Sequence, residues 1–158
     1  MSSPQGDLLH ELERETYLRV INPRMKEFLA NVEGKIYIIG GESAVPVSMV
    51  EQIEAASGKK TERIAGNSRY ETSIEIAKAF LSDAESAVVA YASTFPDGLC
   101  GGPLAYAVGA PLILTKDGKS EAPAYTKAND IASGYVLGGS GLISDGFAQT
   151  IFQTAMIQ

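Results

Sequence analysis

Lys35–Ile53 reads KIYIIGGESAVPVSMVEQI. A β-rich apolar run ends at Gly40–Gly41, and beyond a short turn a helical pattern begins at about Val47. Strand, glycine turn and helix in that order make the first half of a βαβ unit. Ser133–Ile151, SGYVLGGSGLISDGFAQTI, lines up on it without a gap. Gly40 and Gly41 fall on Gly138 and Gly139, and Tyr37, Ile38, Ile39, Val45, Val50 and Ile53 fall on Tyr135, Val136, Leu137, Ile143, Ala148 and Ile151. The offset is 98 residues, so the chain holds one full period, about Arg63 to Thr154, preceded by the latter part of another.

Between the two copies the same alternation continues. Ala87–Ala92, Pro111–Thr115 and, more weakly, Thr61–Ile64 read as strands. Helical patterns fall at about Val47–Ala56, Arg69–Leu81, Gly98–Val108, Ala122–Ala132 and Asp145–Thr154. Strand and helix in strict turn imply right-handed crossovers and helices on both faces of a mainly parallel sheet, and near-continuous apolar strands fit that burial. The expected fold is therefore α/β and doubly wound. Leu8, Leu12, Leu18, Ile21, Met25, Phe28 and Leu29 suggest one or two helices ahead of the first strand, with Pro23 as a break or first-turn residue. Residues 1–33 are read as a helical extension or the tail of a preceding repeat, and 34–158 as the module.

Composition sets the outer limits. The 158 residues are 45% hydrophobic and 20% charged, enough for one core of ordinary size. A net charge of −6 with no basic tract works against nucleic acid. One cysteine, Cys100, and one histidine, His10, leave neither a disulfide framework nor a multi-histidine metal site. Cys100, amid Gly98, Gly101 and Gly102, is expected to be a small buried hydrophobe, and His10 a solvated surface residue. No apolar run reaches the roughly 20 residues of a membrane span, and the polar, acidic start lacks the features of a signal peptide. A mature form or an excised piece is expected, with no metal, no cofactor and no catalytic group.

Five strings occur in order: Arg63-Ile-Ala-Gly-Asn-Ser-Arg-Tyr-Glu-Thr72, Phe95-Pro-Asp-Gly-Leu99, Pro103-Leu-Ala105, Gly109-Ala-Pro-Leu-Ile-Leu-Thr115, and the strand-Gly-Gly-x-x-x-[IV] unit. Together, over roughly Gly34 to Thr154, they resemble the cell wall binding repeat type 2 of Gram-positive surface proteins. The resemblance implies a Toprim-like or Rossmann-like three-layer module, commonly three tandem copies about a pseudo-threefold axis, that anchors exported proteins non-covalently to anionic wall polymers. It implies an extracellular or cell-surface location, an anionic polysaccharide or teichoic-acid-like partner, and a homo-oligomer, with a trimer as the first candidate. Gly98 stands where the family usually has Ala, Ile113 where Leu is common, and about one and a half periods stand where three are usual.

The candidate site residues follow from both readings. Arg63, Asn67 and Arg69 surround a helix start, where guanidinium forks and free amides suit an anion; a scaffold pairing of Arg69 with Asp97 is the competing role. Ser68 and Glu71, three apart, form a capping box for that helix. Asp97, ahead of Gly98-Leu99, is placed to cap the next one. Gly40, Gly41, Gly138 and Gly139 occupy the strand-to-helix turns where glycine loops cradle phosphate, although neither completes a phosphate-loop motif and tight strand-to-helix turning is the favoured explanation of both. The strand Pro111, Leu112, Ile113, Leu114, Thr115 and the following Lys116 complete the strand-end edge, where doubly wound sheets bind ligands. Tyr70, Tyr91, Phe95, Tyr106 and Tyr125 are stacking platforms or core fillers. Two functions remain open: a non-catalytic wall-binding module, and a Rossmann-like enzyme or sensor domain that binds a nucleotide or sugar phosphate at the Gly-Gly loops.

Overall fold

The structure is a computed structural model that describes residues 20–153 apart from 94, 117, 119 and the side chain of Phe95. Leu8, Leu12, Leu18, His10 and Thr154 lie outside the described residues. The chain divides into two compact units, Met1–Arg63 and Ile64–Gln158.

In the first unit, helix α1 (Pro23–Ala30) opens on Asn22, whose side chain accepts from Met25 N at 2.9 Å, with Pro23 in the first turn where its missing N–H costs nothing. Strand β1 (Ile36–Ile39), helix α2 (Val47–Ser57) and strand β2 (Thr61–Ile64) follow, and β2 pairs with β1. Gly58, at φ +67, closes α2 by donating its N–H to Glu54 O, the left-handed position that a side chain resists. The Glu54 carboxylate then holds the start of β2, accepting from Lys60 Nζ at 2.7 Å, Thr61 N at 2.9 Å and Thr61 Oγ1 at 3.1 Å.

The second unit contains helix α3 (Arg69–Phe80), strand β3 (Ser86–Tyr91), helix α4 (Phe95–Val108), strand β4 (Leu112–Thr115), helix α5 (Ala122–Ala128), strand β5 (Ser133–Leu137) and helix α6 (Asp145–Phe152). Its sheet has the order β4-β3-β5, parallel throughout, with Val89 opposite both Ile113 and Val136. From β3 the chain steps outward to β4, then back past β3 to β5. A right-handed crossover puts the helices of those two opposite steps on opposite faces. The side chains agree, because neighbours along a strand point to opposite sides. Ala87, Val89 and Ile113 pack with Ile74 and Ala77 of α3, Tyr125 of α5 and Ile151 and Phe152 of α6, whereas Val88, Leu112 and Leu137 pack with Leu104 and Ala105 of α4. This is the three-layer, doubly wound arrangement expected of the sequence.

Helix α4 is thin by necessity. A Cβ built on Gly101 would come within 2.7 Å of Leu112 Cδ1 and 3.1 Å of Leu137 Cδ1, so the glycine lets the helix backbone sit directly on the sheet. Gly102 meets nothing within 4 Å. Cys100, expected to be buried, is exposed. A helix built of glycine, alanine and proline has no strong amphipathic period, so its sequence does not tell which residues face inward.

The 98-residue repeat is also a structural one through the end of the strand, the loop and the start of the helix. Strand β1 is matched by β5, α2 and α6 begin at Val47 and Asp145, and Gly40 and Gly138 both have positive φ, +109 and +131. In each loop the second glycine carbonyl accepts two amides, Gly41 O from Ala44 and Val45, and Gly139 O from Leu142 and Ile143. Both Gly-Gly pairs thus form the same tight turn.

Candidate functional site

The segment Arg63–Thr72 builds the entrance to α3. Ser68 is the N-cap, its Oγ accepting from Glu71 N at 3.2 Å. Glu71 answers, but one residue earlier than a standard capping box: its carboxylate accepts from Asn67 N at 2.8 Å and Asn67 Nδ2 at 2.9 Å. Gly66 donates its N–H to Thr72 Oγ1 at 3.0 Å. The loop folds so closely on the helix that a Cβ at Gly66 would lie 2.2 Å from Glu71 Cβ. Asn67 is therefore engaged in the cap, with its side chain at the surface.

The two arginines that frame this segment serve different loops. Arg63, in the first unit, donates from Nη1 to Gly40 O at 2.6 Å and from Nη2 to Val45 O at 2.9 Å, spanning the Gly-Gly loop of that unit like a staple. Gly40 and Gly41 thus lie with Arg63, their loop presenting carbonyls to a cation. Arg69, in the second unit, donates from Nη1 to Ala92 O at 2.9 Å, beyond the end of β3. Among the described residues it forms no ion pair with Asp97, and the rest of its five-donor fork is uncommitted there.

That fork lines a cavity of about 520 Å³ on the α4 face of the sheet, together with Tyr91, Ala92, Ser93, Gly98, Leu99, Leu112 and Leu114. The cavity lies at the carboxyl end of β3 and beside the first turns of α4. Asp97 does not precede α4, because the helix begins at Phe95; the carboxylate sits inside the first turn, where it complements the positive end of the helix. Pro96 tolerates that early start, which the expectation of a loop up to Asp97 overlooked. Asp97 Oδ2 also lies 3.6 Å from the position a Cβ would take on Gly138, so the carboxylate sits beside the second Gly-Gly loop.

The remaining predicted residues separate by burial. Pro111, Ile113 and Thr115 are fully buried, and the Thr115 hydroxyl is hydrogen-bonded to Ser120 Oγ, so these side chains meet no ligand from solvent. The alternation of β4 leaves Leu112 and Leu114 on the cavity side. Leu114 N donates to Ser73 Oγ at 3.0 Å, which fastens β4 to α3. Lys116 is exposed just past the strand, and Gly139 is exposed at the turn after β5. The aromatic candidates divide too: Tyr91 lines the cavity, Tyr125 is in the core, Tyr106 is 91% exposed, and Tyr70 is half-buried. The structure brings together Arg69, Leu112 and Leu114; Ser93, in the loop after β3, and Leu99, on α4, join them.

Among the described residues no cluster of histidine, cysteine and carboxylates could hold a metal ion, and no helix is long and apolar enough to cross a membrane.

Residues 63–148 match the family model described as Cell wall binding domain 2. The chain is 30% identical over 99 residues to the N-acetylmuramoyl-L-alanine amidase LytC of Bacillus subtilis, covering 61% of this chain and 20% of that protein. It is 30% identical over 123 residues to the amidase enhancer of the same organism, covering 78% of this chain and 16% of that protein. Among solved structures, Cwp8 from Clostridium difficile superposes with a TM-score of 0.63 at 28% identity, over 87% of this chain and 22% of that one. Cwp6 from the same organism shares the fold at a TM-score of 0.66 and 23% identity, over 84% of this chain and 22% of that one. The chain thus spans about a fifth of the length of each of these proteins. With more than half of its residues inside the matched family model, the chain belongs to the cell wall binding domain 2 family, and it is a cell wall binding module.

Proposed function

We propose that this chain is a non-catalytic anchor that holds an exported protein non-covalently to an anionic polymer of the Gram-positive cell wall, with the Arg69 cavity as the contact. One full repeat, about 63–154, carries that cavity, and the residues before it are the latter part of a neighbouring repeat. The observation that carries the reading is the Arg69 guanidinium, committed among the described residues only through Nη1 to Ala92 O, over a cavity of about 520 Å³ beside the start of α4. An arginine fork favours an anion, and the apolar wall of Leu99, Leu112 and Leu114 suits the ring faces of a sugar. The charge of −6 makes this local, oriented cation necessary, because the chain as a whole repels a polyanion. Amidase chemistry named for a relative belongs to that whole protein, of which this chain spans a fifth.

The test is co-sedimentation of the purified chain with Gram-positive walls, before and after acid extraction of their anionic polymers, alongside Arg69→Gln. Binding that disappears on extraction and falls at least tenfold in the variant, with its melting temperature within a few degrees of the parent, is the expected outcome. A folded chain that binds no walls from several species refutes the anchor, and equal binding by Arg69→Gln refutes the site.

A further inference from the structure

Helices α3 and α5 leave between them a cavity of about 260 Å³ that shares no lining residue with the Arg69 cavity. On α3 it is bordered by Glu71, Glu75 and Lys78 around the apolar Ile74, side chains three and four residues apart and so on one face of the helix. Opposite them Glu121 precedes α5, and Ala124, Tyr125 and Ala128 form the facing stripe. Three carboxylates against one ammonium make the lining acidic. Lys78 Nζ is already held by Glu75 Oε1 at 2.8 Å, and Glu71 Oε2 by the two Asn67 donors, whereas the Glu121 carboxylate meets no partner among the described residues. Tyr125 is 4% exposed, and among the described residues its hydroxyl has no hydrogen-bond partner. The Lys78 ammonium, on the wall of the same cavity, is the charge that bears on that hydroxyl, so the polar end of the ring is turned to the cavity. A buried hydroxyl without a partner is a cost that a ligand group can remove.

We infer that the α3–α5 cavity is a second binding site, for a single amino-sugar residue that carries a free ammonium. The ammonium donates to the Glu121 and Glu71 carboxylates, bonds strengthened by charge on both partners. A ring hydroxyl meets the Tyr125 hydroxyl, which can both donate and accept. Ile74, Ala124 and Ala128 give the C–H face of the ring an apolar bed. Size sets the ligand's limit, because drug-sized ligands fill cavities of about 300–1,000 Å³ and one of about 260 Å³ admits one ring. A bare metal ion is the wrong occupant, since among the described residues no cluster is arranged to hold one. The site is independent of the polymer reading and of Arg69: its charge has the opposite sign, and α3 and α5 pack on the face of the sheet away from α4.

The test titrates the purified chain with glucosamine, N-acetylglucosamine and ethanolamine in slightly acidic buffer, where the free amines are charged, and follows the amide resonances of α3 and α5. Saturable millimolar binding of glucosamine that shifts the Ala124 and Ala128 amides is the expected result, with the other two compounds weaker by about tenfold. Tyr125→Phe and Glu121→Gln are each expected to weaken glucosamine by about fivefold while the melting temperature stays within a few degrees of the parent. Glu121 is exposed and caps nothing with its side chain, so its variant keeps the fold even if the core change at Tyr125 does not. Glucosamine that leaves the α3 and α5 amides unmoved overturns the site. Equal binding of N-acetylglucosamine overturns the ammonium, and equal binding of ethanolamine overturns the sugar ring. Unchanged affinity in a folded Tyr125→Phe or Glu121→Gln protein overturns the role given to that side chain.

Discussion

Replacing Gly66 by alanine tests whether the loop between β2 and α3 is as close as described. The added Cβ would stand 2.2 Å from Glu71 Cβ, 2.8 Å from Glu71 C and 2.9 Å from Thr72 N, where carbon atoms ordinarily keep about 3.5–4.0 Å. Two of those three atoms are main chain and the third is a Cβ, so no rotamer change relieves the contact and the loop itself must move. Moving it draws Gly66 N from Thr72 Oγ1 and Asn67 N from the Glu71 carboxylate. Overpacking costs about 1–3 kcal/mol, and the loss of one neutral and one charge-assisted hydrogen bond adds about 2 more, for a total of about 3–5 kcal/mol. Gly102→Ala is the matched control: it sits inside α4 with nothing within 4 Å, so the better helix former gains up to about 1 kcal/mol. Urea unfolding followed by circular dichroism measures both. A Gly66→Ala protein within 0.5 kcal/mol of the parent, or a Gly102→Ala protein that is the less stable of the two, refutes the steric reasoning.

Other outcomes follow from single contacts. Among the described residues the buried Tyr125 hydroxyl has no hydrogen-bond partner, and burial raises its pKa; Tyr125→Phe is expected to keep or raise stability by about 1 kcal/mol, and a loss above that in urea unfolding would reveal a partner. The Glu54 carboxyl is held below its ordinary value of 4.5 by the Lys60 ammonium and the Thr61 amide, so its contribution is complete above that value and is lost as pH falls through the lowered one. Lys60, raised from 10.5 by Glu54, contributes below that value and loses its contribution as pH rises through the raised one. Glu54→Gln should therefore flatten the acid limb of a stability-pH curve, and an unchanged limb would disprove the coupling. Cys100 is expected to react with a maleimide in the folded protein as fast as a small exposed thiol does, and slow labelling that needs denaturant would bury it again.

Much of this structure is written locally in the chain. Thr61–Ile64 is a strand to the residue, and Val47, Arg69, Ala122 and Asp145 each open the helix that begins there, because strand period, caps and glycine turns act over a few residues. Helix α5 ends at Ala128 instead of continuing to Ala132, since Asn129 and Asp130, the latter at φ +53, turn the chain and free Ile131 for the core. The site was less legible for a physical reason. Its chemistry depends on which side of a strand or helix faces out, and α4 carries too little hydrophobic contrast to declare that. Hence Cys100 was expected inside, and Leu99 gave no sign of lining a cavity. The motif arginines read as anion ligands because a guanidinium suits a carbonyl as well as a phosphate, and spacing alone does not separate the two.

The composition of α4 also bears on the order in which the fold forms. Gly98, Gly101, Gly102 and an internal Pro103 deprive its 14 residues of most intrinsic helicity, so it gains its shape only from a sheet already present. The opposite face holds the larger core, where α3, α5 and α6 meet β3 and β4. That half can condense first and serve as the template on which α4 winds last. A late-forming helix is also the first to loosen under stress, which makes the α4 side of the sheet the softer side of the molecule.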